Sequence, residues 1–281
     1  CYICLCADGS VVSLGCACRG AAGGAHLECA VEAAAHAEEQ TGMKSWKTCA
    51  LCHQDYTGPM RMGLAKEAVR RVQHLPETDM KRMKATDIFA NALMFNGNYA
   101  EAEVINRKQL AIRGDEDLGR AHTLGYCLMY QCKYEEAIKL QRHILRINRR
   151  VFGLEHRETL TTKQALAAVL QRNGQHEKAE TMLRTTLTTM KRVLPKNDEF
   201  TLAAMDGLAG TLCALEKHAE AEEMFRELVS IDQQLLGPEH PSTLMSTLNL
   251  VVSLSQQNKY DEALIIQRAC YSGLVKVQGA T

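Results

Sequence analysis

Charge of either sign is not in excess in this sequence: Lys and Arg number 33, and Asp and Glu number 33, among 281 residues. Proteins that grip a phosphate backbone usually carry a clustered basic footprint, so nucleic-acid binding is not expected. Long hydrophobic runs are missing as well. Nothing approaches the ~18 apolar residues that a membrane span requires, and the chain is expected to be soluble. GxxxxGK[ST], a GxGxxG turn after a strand, HExxH and GxSxG are all absent. A hydrolase, a transferase with its own nucleophile and a nucleotide-binding enzyme therefore have no support. An initiating Met and a signal peptide are also lacking. The sequence opens on Cys1 and is expected to be a piece of a longer protein, with length enough for two units.

What the chain does have is cysteine. Eight of its twelve cysteines fall in the first 52 residues, and the other four (Cys127, Cys132, Cys213, Cys270) are scattered. With no sign of secretion, clustered cysteines around a histidine read as zinc ligands in a reducing, cytoplasmic setting rather than as disulfides. They form four close pairs: Cys1 and Cys4, Cys16 and Cys18, His26 and Cys29, Cys49 and Cys52. Four pairs make two closed tetrahedral sites, the form of structural zinc. A segment this short cannot hold a fold by burial alone, so metal binding is expected to supply much of its folding free energy. Cys6 reads as a spare thiol or an alternative ligand. His36 and His53 read as solvent-facing residues or further ligands.

Seven cysteines with a histidine in fifth place, and a seven-residue gap between Cys18 and His26, resemble the RING-CH (RING-variant, C4HC3) finger over residues 1–57. The PHD finger has the same ligand order. It usually has a shorter gap before its histidine and a tryptophan two residues before the seventh ligand, whereas Trp46 lies three before Cys49. The RING-CH resemblance implies interleaved sites, one of Cys1, Cys4, His26 and Cys29 and the other of Cys16, Cys18, Cys49 and Cys52. The glycines of RGAAGGA would let the chain turn between knuckles, and Cys29 to about Gln40 would be a short helix. The resemblance further implies a ubiquitin ligase without its own nucleophile, holding a charged E2 enzyme near its substrate. Ile3, Ala50 and Leu51 would touch the E2. Three positions depart from the family: Ala33 where Trp is common, no Pro at position 50, and His53 where many active RINGs carry a cation. Trp46 either covers the knuckle as core or joins the E2 contact.

The remainder repeats itself. Thr159-Leu160, Thr201-Leu202 and Thr243-Leu244 recur every 42 residues, as do Ala137, Ala179, Ala221 and Ala263, with Ala102 35 residues before the first. Large apolar residues (Phe89, Leu124, Leu166, Leu208, Leu250) are followed by small ones at Ala90, Gly125, Ala167 and Ala209, though not at Val251. This is the pattern of helix pairs, with large residues filling the space between helices and small ones allowing close approach. NGNY, RNGQH and QNKY mark turns within pairs. FGLEHRET and LGPEHPST mark turns between them, their histidines 84 residues apart.

These features resemble tetratricopeptide repeats of the 42-residue kinesin-light-chain type, about five copies over residues 80–275. The expected architecture is mostly α: a zinc-stabilised RING-type module at 1–57, a connecting or capping helix at 58–79, and an all-α solenoid, a superhelix of helix pairs, at 80–281. Such solenoids usually bind peptides on a concave face lined by each first helix, where kinesin-light-chain-like repeats often place an asparagine. The equivalent residues are Thr123, Ala165, Gly207 and Asn249, so only the last copy keeps it. Arg120 and Lys163 either line that groove or are simply solvated. Three functions compete: an E3 ubiquitin ligase whose repeats select a protein substrate, a non-catalytic zinc-finger scaffold or adaptor, and a PHD-like histone-tail reader.

Overall fold

A computed structural model describes residues 3, 11–13, 24–50, 52–114, 117–195 and 197–279, with backbone alone at 12–13 and 272–279. The chain divides into two compact units, one up to Gln131 and one from Cys132 onward. Twelve α-helices lie among the described residues.

In the first unit, β1 (Val11–Ser13) pairs antiparallel with β2 (Gly24–His26), Val11 opposite His26. Helix α1 (Leu27–Thr41) follows at once and is closed by Gly42 at φ 62°, a left-handed position where glycine costs little. A 3₁₀ helix, Gly42–Trp46, leads into a hairpin in which Thr48 bridges Asp55. Helix α2 (Gly58–Val72) then packs on α3 (Met80–Phe95), which pairs with α4 (Tyr99–Arg113) ahead of α5 (Leu118–Tyr130).

Trp46 is 1% exposed and shares one apolar cluster with Ala30, Ala34 and Cys49 on one side and Met60, Leu64, Ala68 and Ala85 on the other. The described finger residues thus have no core of their own; they share one with α2 and α3. Trp46 is core, and its indole N–H donates to Glu38 Oε2 at 2.7 Å. Burial pushes the Glu38 carboxyl up, but Lys81 and the Trp46 N–H outweigh it and hold the pKa below the usual range. Lys81 on α3 stands 2.6 Å from the same carboxylate.

The second unit runs α6 (Tyr134–Phe152), α7 (Arg157–Arg172), α8 (His176–Val193), α9 (Glu199–Ala214), α10 (His218–Leu236), α11 (Pro241–Gln256) and α12 (Tyr260–Gly279). The helices alternate as first and second members of pairs. The periodic alanines Ala102, Ala137, Ala179 and Ala221 are completely buried, and Leu124, Leu166, Leu208 and Leu250 nearly so.

First helices are capped alike. Asp79, Asp117, His156, Asp198 and His240 each accept a backbone N–H of the first turn through the side chain. The two histidines lie two periods apart because Asp198 does the same work between them. The turn inside each pair holds one left-handed residue, at Gly97, Cys132, Gly174, Glu216 and Asn258. Only two of these are glycine, so the repeat imposes the turn where the local sequence does not ask for it. Second helices are tied to the next pair by shielded glutamates. Glu180 accepts from Lys217 at 2.7 Å, and Glu222 accepts from Lys259, also at 2.7 Å. Burial pushes the Glu222 carboxyl up, yet Lys259, Arg226 and Gln257 together bring its pKa down to about 2.

Two of the three threonines of the Thr-Leu pairs also have a structural role. Thr159 Oγ donates to the Gly153 carbonyl at 2.7 Å and Thr243 Oγ to that of Gly237 at 2.8 Å, closing the turn between pairs. Thr201 has Pro195 at the corresponding place, and its buried hydroxyl has no partner among the described residues. Thr159→Val is expected to cost about 1–2 kcal/mol in denaturant unfolding, while Thr201→Val, which removes an unsatisfied group, is expected to be neutral or stabilising.

Candidate functional site

In the second unit the first helices α7, α9 and α11 adjoin one another. Two rows cross them: Ala165, Gly207 and Asn249, then Ala168, Gly210 and Val252. A methyl added at Gly210 would meet no atom within 4 Å, and one at Gly207 would meet only Leu183 at 3.9 Å. Packing does not demand either glycine, although each costs a helix interior about 1 kcal/mol relative to Ala. Gly210 is exposed and leaves helix backbone bare on α9, whereas Gly207 is half-buried and its carbonyl accepts from Gln171 Nε2 at 2.8 Å. The Asn249 amide donates to Asp206 Oδ1 at 3.1 Å, joining α11 to α9.

Beside this row a cavity of about 730 Å³ opens between α9, α10 and α11. Leu202, Leu235, Leu236 and Met245 supply apolar wall, and Asp206 and Asp232 supply carboxylates. Desolvation in the recess raises the Asp206 pKa, the Asn249 amide opposes this, and the Asp232 charge adds to the rise. Neither acid was anticipated from sequence. The readable signal is a contrast between copies, since 42-residue steps place Gln164 and Leu248 beside Asp206, and Asn148 and Met190 beside Asp232.

The expected groove residues do not all gather here. Asn249 does. Thr123 belongs to the first unit, and its hydroxyl donates to its own helix at the Gly119 carbonyl, 3.0 Å away. Arg120 is not a groove cation: it is 7% exposed, donates to Asn106 Oδ1 at 2.7 Å and pairs with Asp87, tying α3, α4 and α5 together. Lys163 lies on the side of α7 turned to the second helices, in a depression with Leu145 and Arg149 of α6 and Thr181 of α8. Burial first, then the Arg149 charge, lowers its pKa. Cys127 and Cys270 are buried and Cys213 half-buried, whereas Cys132 is exposed on its left-handed turn.

In the finger segment, β2 hands directly to α1, which brings His26 Nδ1 to 3.8 Å from Cys29 Sγ. Cys49 and Cys52 sit on the hairpin after the 3₁₀ helix, where Cys49 N–H donates to Gln54 O at 2.8 Å. Cys1, Cys4, Cys16, Cys18 and Leu51 lie outside the described residues. Among the described residues no three metal-ligating side chains come together. Each four-ligand set inferred from the sequence has only two described members. Ile3, Ala33, Ala37, Ala50 and His53 line one recess of about 610 Å³.

A profile of the tetratricopeptide repeat matches residues 117–192 and 200–274. Among solved structures, the chain is similar to a kinesin-light-chain-like protein of Podosopora anserina with nearly identical TPR-like repeats. The two are 24% identical, with 73% of this chain and 99% of that one covered and a TM-score of 0.60. It is similar to BtubC (BKLC) of P. vanneervenii at 17% identity, covering 78% of this chain and 91% of that one, TM-score 0.62. A Rap protein complexed with competence and sporulation factor aligns at 14% identity, over 90% of this chain and 66% of that one, TM-score 0.66. At these identities the likeness is one of fold. No curated protein matches in sequence. No helix among the described residues is long and apolar enough to cross a membrane.

The bare glycine row yields a direct check. Gly210→Ala is expected to raise the stability of the second unit by about 0.5–1 kcal/mol, because the site has room for a methyl and the unfolded chain loses freedom. A fall in melting temperature would mean that the row is packed rather than open.

Proposed function

Because this chain belongs to the tetratricopeptide repeat family, we propose that it is a protein-interaction scaffold whose α7–α9–α11 face holds an extended segment of a partner protein. The observation that carries the reading is exposed Gly210 on α9, which leaves helix backbone open in the row next to that of the Asn249 amide. A peptide main chain needs close approach and a fixed hydrogen-bonding group, and the two rows offer both. The Rap protein, a fold neighbour, is complexed with a factor, which agrees with this use of the fold. An array of synthetic peptides probed with the labelled chain tests the reading. A subset is expected to bind, and Gly210→Leu is expected to weaken that binding at least about tenfold with helicity unchanged. Binding that survives Gly210→Leu would place the ligand elsewhere.

A second reading concerns residues 1–57: a zinc finger of the RING-CH type that docks an E2 enzyme and makes the chain an E3 ubiquitin ligase in a reducing compartment. Its support is that Ile3 and Ala50, far apart in sequence, share one recess with Ala33. For the metal, the 3.8 Å between His26 Nδ1 and Cys29 Sγ is close to the edge of a tetrahedral N/S zinc site, about 3.6 Å from the usual bond lengths. Cys1, Cys4, His26 and Cys29 would hold one ion, and Cys16, Cys18, Cys49 and Cys52 the other. Zinc there would be structural, adding folding free energy to a segment that leans on α2 for its core. Ile3, Ala50 and Leu51 would touch the E2, and rate would come from positioning. Metal analysis is expected to find two zinc ions per chain, lost in part in Cys49→Ser with repeat helicity kept. Zinc-dependent ubiquitin ladders with an E2 panel would establish the ligase. Zinc without ladders would leave the finger as a second docking module of the scaffold.

A further inference from the structure

We infer that the cavity between α9, α10 and α11 takes a lysine or arginine side chain of the bound peptide, with an apolar residue next to it. The inference rests on the peptide-groove reading above and names what that groove selects.

Asp232 is 6% exposed, and its Oδ2 accepts from Ser246 Oγ at 2.7 Å. Among the described residues no cation pairs with it. Arg157, at the start of α7, is already engaged with Asp198 at 3.0 Å and Glu199 at 3.6 Å. A buried carboxylate without a counter-ion is costly, and proteins rarely keep one unless something pairs with it. The fold does not require this charge. One period pair earlier, Asn148 makes the corresponding contact with Thr162 at 2.9 Å, as a neutral amide. In the intervening copy the positions are Met190 and Ala204, both buried and apolar. The charge is therefore particular to the α10–α11 pair, and it lines the cavity.

Asp206 reinforces the argument. It stands on the rim of the same cavity, close enough for the Asp232 charge to disfavour its own ionisation. Two carboxylates that repel each other beside an apolar wall are complementary to a long cationic side chain. The methylene stem of Lys or Arg would lie along Leu202 and Leu235, and its head would reach the acids. Met245, 60% exposed, and Leu236, 46% exposed, offer contact to an apolar neighbour in the peptide. Asn249, already bonded to Asp206, links this pocket to the glycine row.

The test is fluorescence anisotropy with labelled ten-residue peptides that carry Lys, Arg, norleucine or Glu at one central position flanked by Leu. Lys and Arg peptides are expected to bind at least about tenfold more tightly than the norleucine peptide, and the Glu peptide not at all. Asp232→Asn should abolish the preference while leaving the melting temperature equal or higher, since Asn148 shows that an amide fits. Asp206→Asn should reduce the preference independently. Equal binding of the Lys and norleucine peptides, lost in Gly210→Leu, would overturn the acidic pocket and leave the groove standing. Binding of none of the four peptides would overturn both. A clear fall in melting temperature in Asp232→Asn would assign the carboxylate to the fold and overturn the inference as well.

Discussion

The closeness of paired helices is the constraint on which the rest depends. Ala102, Ala137, Ala179 and Ala221 are fully buried near the start of their second helices, and Ala263 nearly so. Adding bulk at such fully buried positions is expected to force neighbouring side chains or helices to shift. Spacing fixed there sets where first helices meet their neighbours. It also sets the left-handed turn within each pair, adopted at Cys132 and Glu216 without a glycine. The open first-helix row is a downstream consequence, since its shape is the residue of packing done behind it.

Polar groups divide by whether that packing supplies a partner. Glu180 and Glu222 are shielded and each meets a lysine of the next pair. Arg120 is buried against Asp87 and Asn106. These charges are spent on the fold and have nothing left to offer a ligand. Asp232 is buried as deeply and, among the described residues, meets only a hydroxyl. The same criterion that removes Arg120 from the candidate groove brings Asp232 into it.

The finger segment obeys the same physics with fewer apolar groups. Its tryptophan is sunk among residues of α1 and α2, and Glu38 links it through the indole to Lys81 of α3. The first unit therefore joins a cysteine-rich segment to α2 and α3 through one shared cluster, while Leu93, Ala102 and Cys127 form a second cluster among α3, α4 and α5.

The helix pairs, their period, the large and small core positions and the turns at Gly97 and Gly174 were legible in the sequence. Each follows from the sterics of a single helix or turn. The recurring Thr and the paired histidines were visible as a pattern, yet their reasons were not. The Thr159 bond to Gly153 and the cap made by His156 appear only when the turn between pairs is built. Tertiary structure alone decided that Trp46 is core, that Lys163 turns toward the second helices, and that Asp206 and Asp232 share one cavity. A period says where on a helix a residue stands. Whether a polar side chain there is satisfied depends on a helix 14 to about 40 residues away, and only the folded chain brings that partner into reach.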